Sequence, residues 1–173
     1  MKGALAALRP PNPRLPFPST EGRPKGLNVL GTLARHPELA TAYHTFNGHV
    51  LFATTLTARQ RELLVLRVAA VRDAAYEWAQ HAVLAADVGI APGELDRIVA
   101  GPDAPGWSPL DAALLAAVDD LSADARIGDA TWRVLSAELE ERQIFDLLFT
   151  VGAYDALAMV LRSLDVVLDD DLR

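Results

Sequence analysis

The chain has 173 residues, of which 51% are hydrophobic and 23% are charged, and its formal net charge at pH 7 is −7. This size and composition predict one folded domain with a sizeable core and exclude a disordered chain. The acidic balance argues against nucleic-acid binding, because phosphate backbones would be repelled. Because the sequence has no cysteine, disulfides, thiol nucleophiles and thiolate metal sites are also excluded.

The compartment is predicted from the N-terminus and from the lengths of the apolar runs. The apolar stretch at 3–8 is shorter than the hydrophobic region of a usual signal peptide. No run reaches the roughly 18 apolar residues that a membrane span needs. We therefore expect a cytoplasmic protein that makes no membrane contact.

Proline marks the N-terminal segment. Residues 1–26 carry six of the eleven prolines, which predicts an extended arm without a helix. Such an arm either stays mobile or lies along a neighbouring subunit. The helical domain is then expected to cover 27–173, and its acidic end at 169–171 is expected to be solvated.

The rest of the chain predicts an all-α fold, because no stretch alternates with the period of a strand. Thr57 and Gln60 form a capping-box pattern, Ser108 is placed to cap another helix, and Asp73 is placed to cap the helix that ends before Gly89. The predicted helices cover 27–35, 38–53, 58–72, 74–88, 92–100, 109–121, a segment that begins at 129, and 138–168.

Two of these helices have distinctive sequences. The helix at 58–72 has apolar residues on nearly every face, which predicts a central helix that is buried by its neighbours or by another subunit. The last helix contains Gly152, which is a possible weak point.

Two acidic residues and a histidine form the pattern that can carry chemistry. Glu77 and His81 are four residues apart and share a helix face. The short connection between the third and fourth predicted helices favours antiparallel packing, and Glu62 and His81 then lie at similar distances from the turn. Glu62, Glu77 and His81 are therefore expected to converge in one pocket, where they can shuttle protons near neutral pH.

Ordinary structural roles are open to the same residues. A Glu–His pair at this spacing is commonly a surface pair, and Glu62 could instead hold Arg59 or Arg67. Tyr76 and Trp78 suit a core or a subunit interface as well as a substrate contact. Carboxylate and imidazole groups suit zinc, iron or manganese, but the spacing is not that of a metal-binding motif, and we expect no metal.

The residues belong to a longer series of motifs, namely Arg-x-Arg-Glu-Leu at 59–63, Tyr-Glu-Trp-x-x-His at 76–81 and Gly-Ile-x-x-x-Glu-Leu at 89–95. This series resembles the signature of the carboxymuconolactone decarboxylase superfamily, which includes the AhpD-like alkyl hydroperoxidases. The core of the resemblance spans 56–100, and a looser part extends from 36 to 154. It implies an AhpD-like helical bundle.

The peroxidase branch of that superfamily uses a Glu, two Cys and a His. Carried over to this sequence, the Glu falls on Glu62 and the His on His81, whereas the two Cys positions fall on Ala74 and Glu77. The resemblance therefore implies the decarboxylase-like branch, and thiol peroxidase chemistry is excluded.

The resemblance also implies cofactor-free lyase chemistry on a small carboxylated lactone or a related cyclic acid. His81 would donate the proton, and Glu62 or Glu77 would orient it. Arg61 or Arg67 would bind the substrate carboxylate.

Further substrate contacts are expected from Tyr76, Trp78, His44 and His49. The subunit is expected to form a homo-oligomer, commonly a trimer or a hexamer in this superfamily. Isomerisation or ring opening in the same pocket remains an alternative, and so does a non-catalytic member that binds a small molecule.

Overall fold

The computed structural model of the protein describes residues 2–17 and 23–172, and the predicted all-α fold is confirmed within these ranges. Residues 18–22 of the predicted arm lie outside the described residues, as do Met1 and Arg173. The α-helices are α1 Lys2–Ala7, α2 Leu27–Leu33, α3 Pro37–Gly48, α4 Ala58–Val71, α5 Ala75–Ala85, α6 Pro92–Ala100, α7 Pro109–Asp124, α8 Asp129–Glu138 and α9 Glu141–Ser163. A π-helical turn at His49–Ala53 follows α3, and 3₁₀ turns occur at Ala86–Val88 and Asp170–Leu172.

Helix α4 is the centre of the domain, as its apolar sequence predicts. The capping box at its start is present: the Thr57 hydroxyl accepts from the Gln60 backbone N–H at 3.1 Å, and the Gln60 side chain accepts from the Thr57 N–H at 2.9 Å. The helix packs against α5, α7 and α9, and Leu63, Leu64 and Leu66 are fully buried. These contacts fix α4 as the rigid element from which the neighbouring side chains are positioned.

A tight turn at residues 72–74 joins α4 to α5. The prediction that Asp73 caps α5 is wrong, because Ala74 is at the N-cap and makes no side-chain cap. Asp73 instead adopts a left-handed backbone conformation with φ of 51°, which reverses the chain within three residues. The turn brings α5 back along α4, so that residues early in α4 meet residues late in α5.

Two predicted helices are divided in the structure. The helix predicted at 38–53 changes to a π-helical turn after Gly48. The helix predicted at 138–168 is two helices, because Leu139 and Glu140 are extended and a capping box of Glu140 with Gln143 starts α9. Gly152 does not interrupt α9.

The N-terminal arm is not extended throughout, and the prediction of an arm without a helix is wrong for its first residues. The prolines begin only at Pro10, which leaves room for α1 before them. Helix α1 packs on α3, and Gly48 permits the close approach, since a Cβ there would lie 2.6 Å from the carbonyl oxygen of Leu8. Further along the arm, the Leu15 N–H donates to the Phe52 carbonyl at 3.0 Å.

The acidic C-terminal tail is not simply solvated, contrary to the prediction. Asp169 is buried, and its carboxylate accepts hydrogen bonds from the Tyr76 hydroxyl at 2.7 Å, the Gln80 amide at 3.1 Å and the Asn28 backbone N–H at 2.8 Å. The tail is therefore tied to α2 and α5. Burial and then the hydrogen bond to Asp169 raise the pKa of Tyr76 to about 12.

Within the described residues, one helix, α9, has the length and the apolar composition of a membrane span. Its apolar side chains include Leu147, Val151 and Ala158, which are buried inside the domain. Helix α9 packs along α4 through this buried side.

Candidate active site

A cavity of about 400 Å³ lies beside α4 and α5, and it is bordered by α9 and by the N-terminal arm. Leu15 and Pro16 of the arm contribute to its wall, together with Phe52 of the π-helical turn and Leu157 of α9. Its polar lining residues are Asn47, Arg61, Glu62, Tyr76, Glu77, Gln80, His81, Asp87 and Tyr154. The wall is thus largely apolar, with a few convergent polar groups, as is typical of small-molecule sites.

Glu62 and His81 meet in this cavity. The Nδ1 atom of His81 lies 2.6 Å from Oε2 of Glu62, and the edge of the His81 ring packs against Tyr154 with the ring centroids 5.1 Å apart. Among the described residues, the other ring nitrogen, Nε2, has no hydrogen-bond partner. A carboxylate on Nδ1 favours a proton on that atom, which leaves Nε2 to exchange a proton with a bound molecule.

Arg61 holds the same carboxylate from its other side. Its Nε and Nη2 atoms donate to Oε1 of Glu62 at 3.1 and 2.7 Å, and its Nη1 atom donates to the Leu51 carbonyl at 2.5 Å. Burial alone would raise the pKa of Glu62, which has no exposed surface, but the charges and hydrogen bonds of His81 and Arg61 outweigh burial and lower it. Glu62 is therefore an ionised carboxylate inside the protein.

Glu77 reaches the cavity from α5 and has the opposite character. It is 2% exposed, and neither of its carboxyl oxygens has a hydrogen-bond partner among the described residues. Burial, and secondarily the negative charge of Asp155, raise the pKa of Glu77 well above its ordinary value. Burial therefore favours the neutral carboxylic acid form of Glu77, which can donate a hydrogen bond.

The predicted substrate contacts divide between the cavity and the core. Arg61 and Tyr76 line the cavity, although the Tyr76 hydroxyl is bound to Asp169. Trp78 is not among the lining residues and packs against the core. Arg67 also lies elsewhere: it forms a bidentate pair with Asp119 at 2.7 and 2.8 Å.

The two histidines predicted as substrate contacts also lie outside this cavity. His44 lines a smaller cavity of about 180 Å³ between α1, α2 and α3, and burial lowers its pKa. His49 lies 2.7 Å from Asp146 through Nε2, and Asp146 also accepts from Thr55. This cluster fixes the segment that precedes α4. The prediction that His44 and His49 line the same pocket as His81 is therefore wrong, because His44 lies towards α1 and α2 and the His49 ring is bound to Asp146.

Some cavity residues were not predicted from the sequence. Asn47 and Gln80 line the cavity, and so does Tyr154, which comes from α9. Tyr43 is also largely buried, and this burial raises the pKa of its hydroxyl group. Gln80 is one residue before His81 and could have been suspected, whereas Asn47 and Tyr154 enter through tertiary packing that no local pattern indicates. Within the described ranges, no group of three or more His, Asp or Glu side chains is arranged to hold a metal ion.

The model of the carboxymuconolactone decarboxylase family matches residues 37–120, a segment that contains Glu62, Glu77 and His81. Residues 37–120 belong to the carboxymuconolactone decarboxylase family. No curated protein matches the chain at a significant level. This match agrees with the resemblance carried by the sequence motifs.

Solved structures share the fold of this chain. A protein of unknown function from Agrobacterium tumefaciens, whose description refers to the antioxidant defence protein AhpD, has 18% identity and a TM-score of 0.73, over 79% of this chain and 94% of that one. An uncharacterized peroxidase-related protein from Ralstonia eutropha with an AhpD core has 17% identity and a TM-score of 0.73, over 94% of this chain and 95% of that one. Another from a Silicibacter species has 17% identity and a TM-score of 0.74, over 95% of both chains. The fold is therefore AhpD-like.

Proposed function

We propose that this protein is a cofactor-independent enzyme that moves a proton next to a carbonyl group of a small molecule, in a lyase-type or isomerase-type reaction. The observation that carries the proposal is the contact of 2.6 Å between Glu62 and His81 at the wall of a cavity of about 400 Å³. A buried carboxylate that holds one nitrogen of an imidazole, with the other nitrogen unpartnered, suits general acid–base catalysis.

In the proposed reaction, Nε2 of His81 takes a proton from the carbon next to the carbonyl group. The electron pair of the broken C–H bond forms a carbon–carbon double bond, and the carbonyl π pair moves to the oxygen, which gives an enolate. Protonated His81 then returns its proton to a carbon of the product, so no external oxidant or reductant is needed. Glu62 stabilises the imidazolium and holds its orientation.

Glu77 is proposed to stabilise the enolate oxygen. A neutral carboxylic acid in an apolar site donates a strong hydrogen bond to a developing negative charge. The burial of Glu77 and its lack of a protein partner support this role. Of the two acidic residues expected to orient His81, we assign this role to Glu62, since Glu62 makes the hydrogen bond to the His81 ring.

Decarboxylation of a carboxylated lactone, which the family resemblance implies, uses the same groups. There the electron pair of the bond to the departing CO₂ forms the enolate, and protonated His81 donates to carbon. Isomerisation and lactone ring opening differ only in where the proton is returned or which bond breaks next. A non-catalytic member is the second candidate, but an open cavity beside a hydrogen-bonded imidazole favours the enzyme, because a scaffold gains stability by filling such space.

A turnover screen tests the proposal. Wild-type protein and the His81→Gln variant are incubated with lactones, cyclic β-keto acids and their esters, and products are followed by NMR. Turnover of at least one compound by wild type, with a loss of roughly 10²–10⁴-fold in the variant, is expected for a general acid–base residue. Equal turnover by both proteins would exclude the role of His81, and inactivity of wild type across the panel would favour the binding protein.

A further inference from the structure

We infer that the cavity accepts an uncharged substrate, whose polar oxygen is bound by the carboxylic acid of Glu77 and by neighbouring neutral groups, and that it disfavours carboxylates. The inference rests on the proposed function, because it concerns the same cavity and names its substrate class. It differs from the expectation that Arg61 or Arg67 binds a substrate carboxylate, and among the proposed reactions it favours isomerisation or lactone ring opening over decarboxylation.

Every nitrogen of the Arg61 guanidinium already donates to a protein group. Nε and Nη2 donate to Glu62, and Nη1 donates to the Leu51 carbonyl. The Arg61 side chain is only 12% exposed, and the charge of the guanidinium is neutralised by a carboxylate with no exposed surface. A substrate carboxylate would have to displace Glu62, which would leave a buried charge unpaired.

The described wall of the cavity offers no other unpaired cation. Arg67 lies outside it and is bound to Asp119. Arg23 pairs with Asp87, which is a lining residue, so that pair adds no net charge. Only a second proton on His81, at Nε2, would give the Arg61–Glu62–His81 group a net positive charge, because the proton at Nδ1 is already shared with Glu62.

The unpartnered polar groups of the cavity are neutral ones. Both oxygens of Glu77 and Oδ1 of Asn47 are buried without a hydrogen-bond partner among the described residues. Buried polar atoms are nearly always hydrogen-bonded in folded proteins, so these atoms point to a bound polar molecule or to water. Because the remaining wall is largely apolar, a carboxylate would be desolvated there without compensation, whereas an amide, ester or lactone would not.

The test compares isosteric pairs of ligands. The probes are phenylacetamide with phenylacetate, and γ-butyrolactone-γ-carboxamide with the corresponding carboxylate, each titrated into wild-type protein by ligand-observed NMR at about pH 8. We expect the amides to bind at least about tenfold more tightly than the carboxylates. Equal or tighter binding of the carboxylates, or no binding of either amide, would overturn the inference.

Two variants separate this inference from the proposed function. His81→Gln should keep the preference for the amides, even though turnover is lost, because the preference does not depend on proton transfer. Glu62→Gln releases Arg61 and should gain carboxylate affinity by about tenfold or more without gaining amide affinity. A folded Glu62→Gln variant that still rejects carboxylates would contradict the inference, and if that variant does not fold, the ligand pairs with wild type decide.

Discussion

The carboxyl groups of Glu62 and Glu77 face one cavity, but their pKa values are shifted in opposite directions. Glu62 is paired with Arg61 and His81, which lower its pKa despite burial, whereas Glu77 is buried without a partner and its pKa is raised. A pair of carboxyl groups with diverging pKa values is the arrangement by which enzymes provide an acid and a charged group at the same pH.

Replacement of Glu77 by Gln should change the pH dependence of stability. Because the pKa of Glu77 is raised on folding, its contribution to stability is fully present below the ordinary value of 4.5 and is lost as the pH rises through the folded-state pKa. Gln has a similar shape and does not titrate. The difference in unfolding free energy between the variant and wild type should therefore shift in favour of the variant as the pH rises from about 5 to about 8. Urea unfolding at both pH values measures this shift.

The matched control is Glu138→Gln, which removes one negative charge from an exposed position on α8. This control separates the effect of removing a buried carboxyl group from the effect of lowering the net negative charge of the chain. If the stability of Glu77→Gln relative to wild type does not rise with pH, or if Glu138→Gln gives the same rise, Glu77 is not held as a neutral acid.

Replacement of Glu62 by Gln should have the opposite pH dependence. Loss of the carboxylate leaves the Arg61 guanidinium buried without a counter-ion, which should cost roughly 3–5 kcal/mol near neutral pH. Because the pKa of Glu62 is lowered on folding, the advantage of wild type is present above 4.5 and is lost as the pH falls through the folded-state pKa. A constant difference in unfolding free energy from neutral to acidic pH would contradict the assignment of an ionised Glu62.

Arg67 is expected to contribute to stability and not to ligand binding. Its guanidinium pairs with Asp119 and donates to the carbonyls of Ile98 and Val99 at 2.8 and 2.9 Å. Arg67→Met should therefore lower the free energy of unfolding by about 1–3 kcal/mol, a range that already allows for solvent screening at the partly exposed Asp119. The exposed Arg133→Met on α8 is the control, and a change in ligand affinity in folded Arg67→Met would refute a purely structural role.

Self-association stays a prediction. Phe145 and Phe149 of α9 are each 56% exposed, and the Phe149 ring packs edge-on against Phe46 of α3 with the centroids 6.0 Å apart. Because monomeric proteins rarely leave large contiguous apolar patches in water, we expect a second copy to cover these rings. Light scattering at micromolar concentration should give a mass above that of a dimer, and Phe149→Glu should reduce it. A monomeric wild type would disprove the prediction.

The sequence predicted the parts of the site that depend on local pattern. The capping box at Thr57, the apolar α4 and the short turn before α5 together determine that Glu62 and His81 approach each other. These features are local, since they follow from helix spacing and from turn length.

The parts that were predicted wrongly depend on contacts between distant segments. Asp169 is acidic and near the end of the chain, and only the approach of Tyr76 and Gln80 explains its burial. The motif predicted that Arg61 binds a substrate carboxylate, yet the Arg61 guanidinium donates to the carbonyl of Leu51 and to the carboxylate of Glu62. His49 lies in a π-helical turn, which no periodicity indicates, and its ring is bound to Asp146 outside the cavity.

The central claim, that His81 transfers the proton, is tested most directly by hydrogen exchange in heavy water. A carbonyl compound that the wild type turns over is incubated with each protein, and proton NMR follows deuterium entering the carbon next to the carbonyl group. His81→Gln should slow this exchange by roughly 10²–10⁴-fold, while His49→Gln, altered outside the cavity, should not. Exchange in His81→Gln at a rate close to that of wild type would contradict the account.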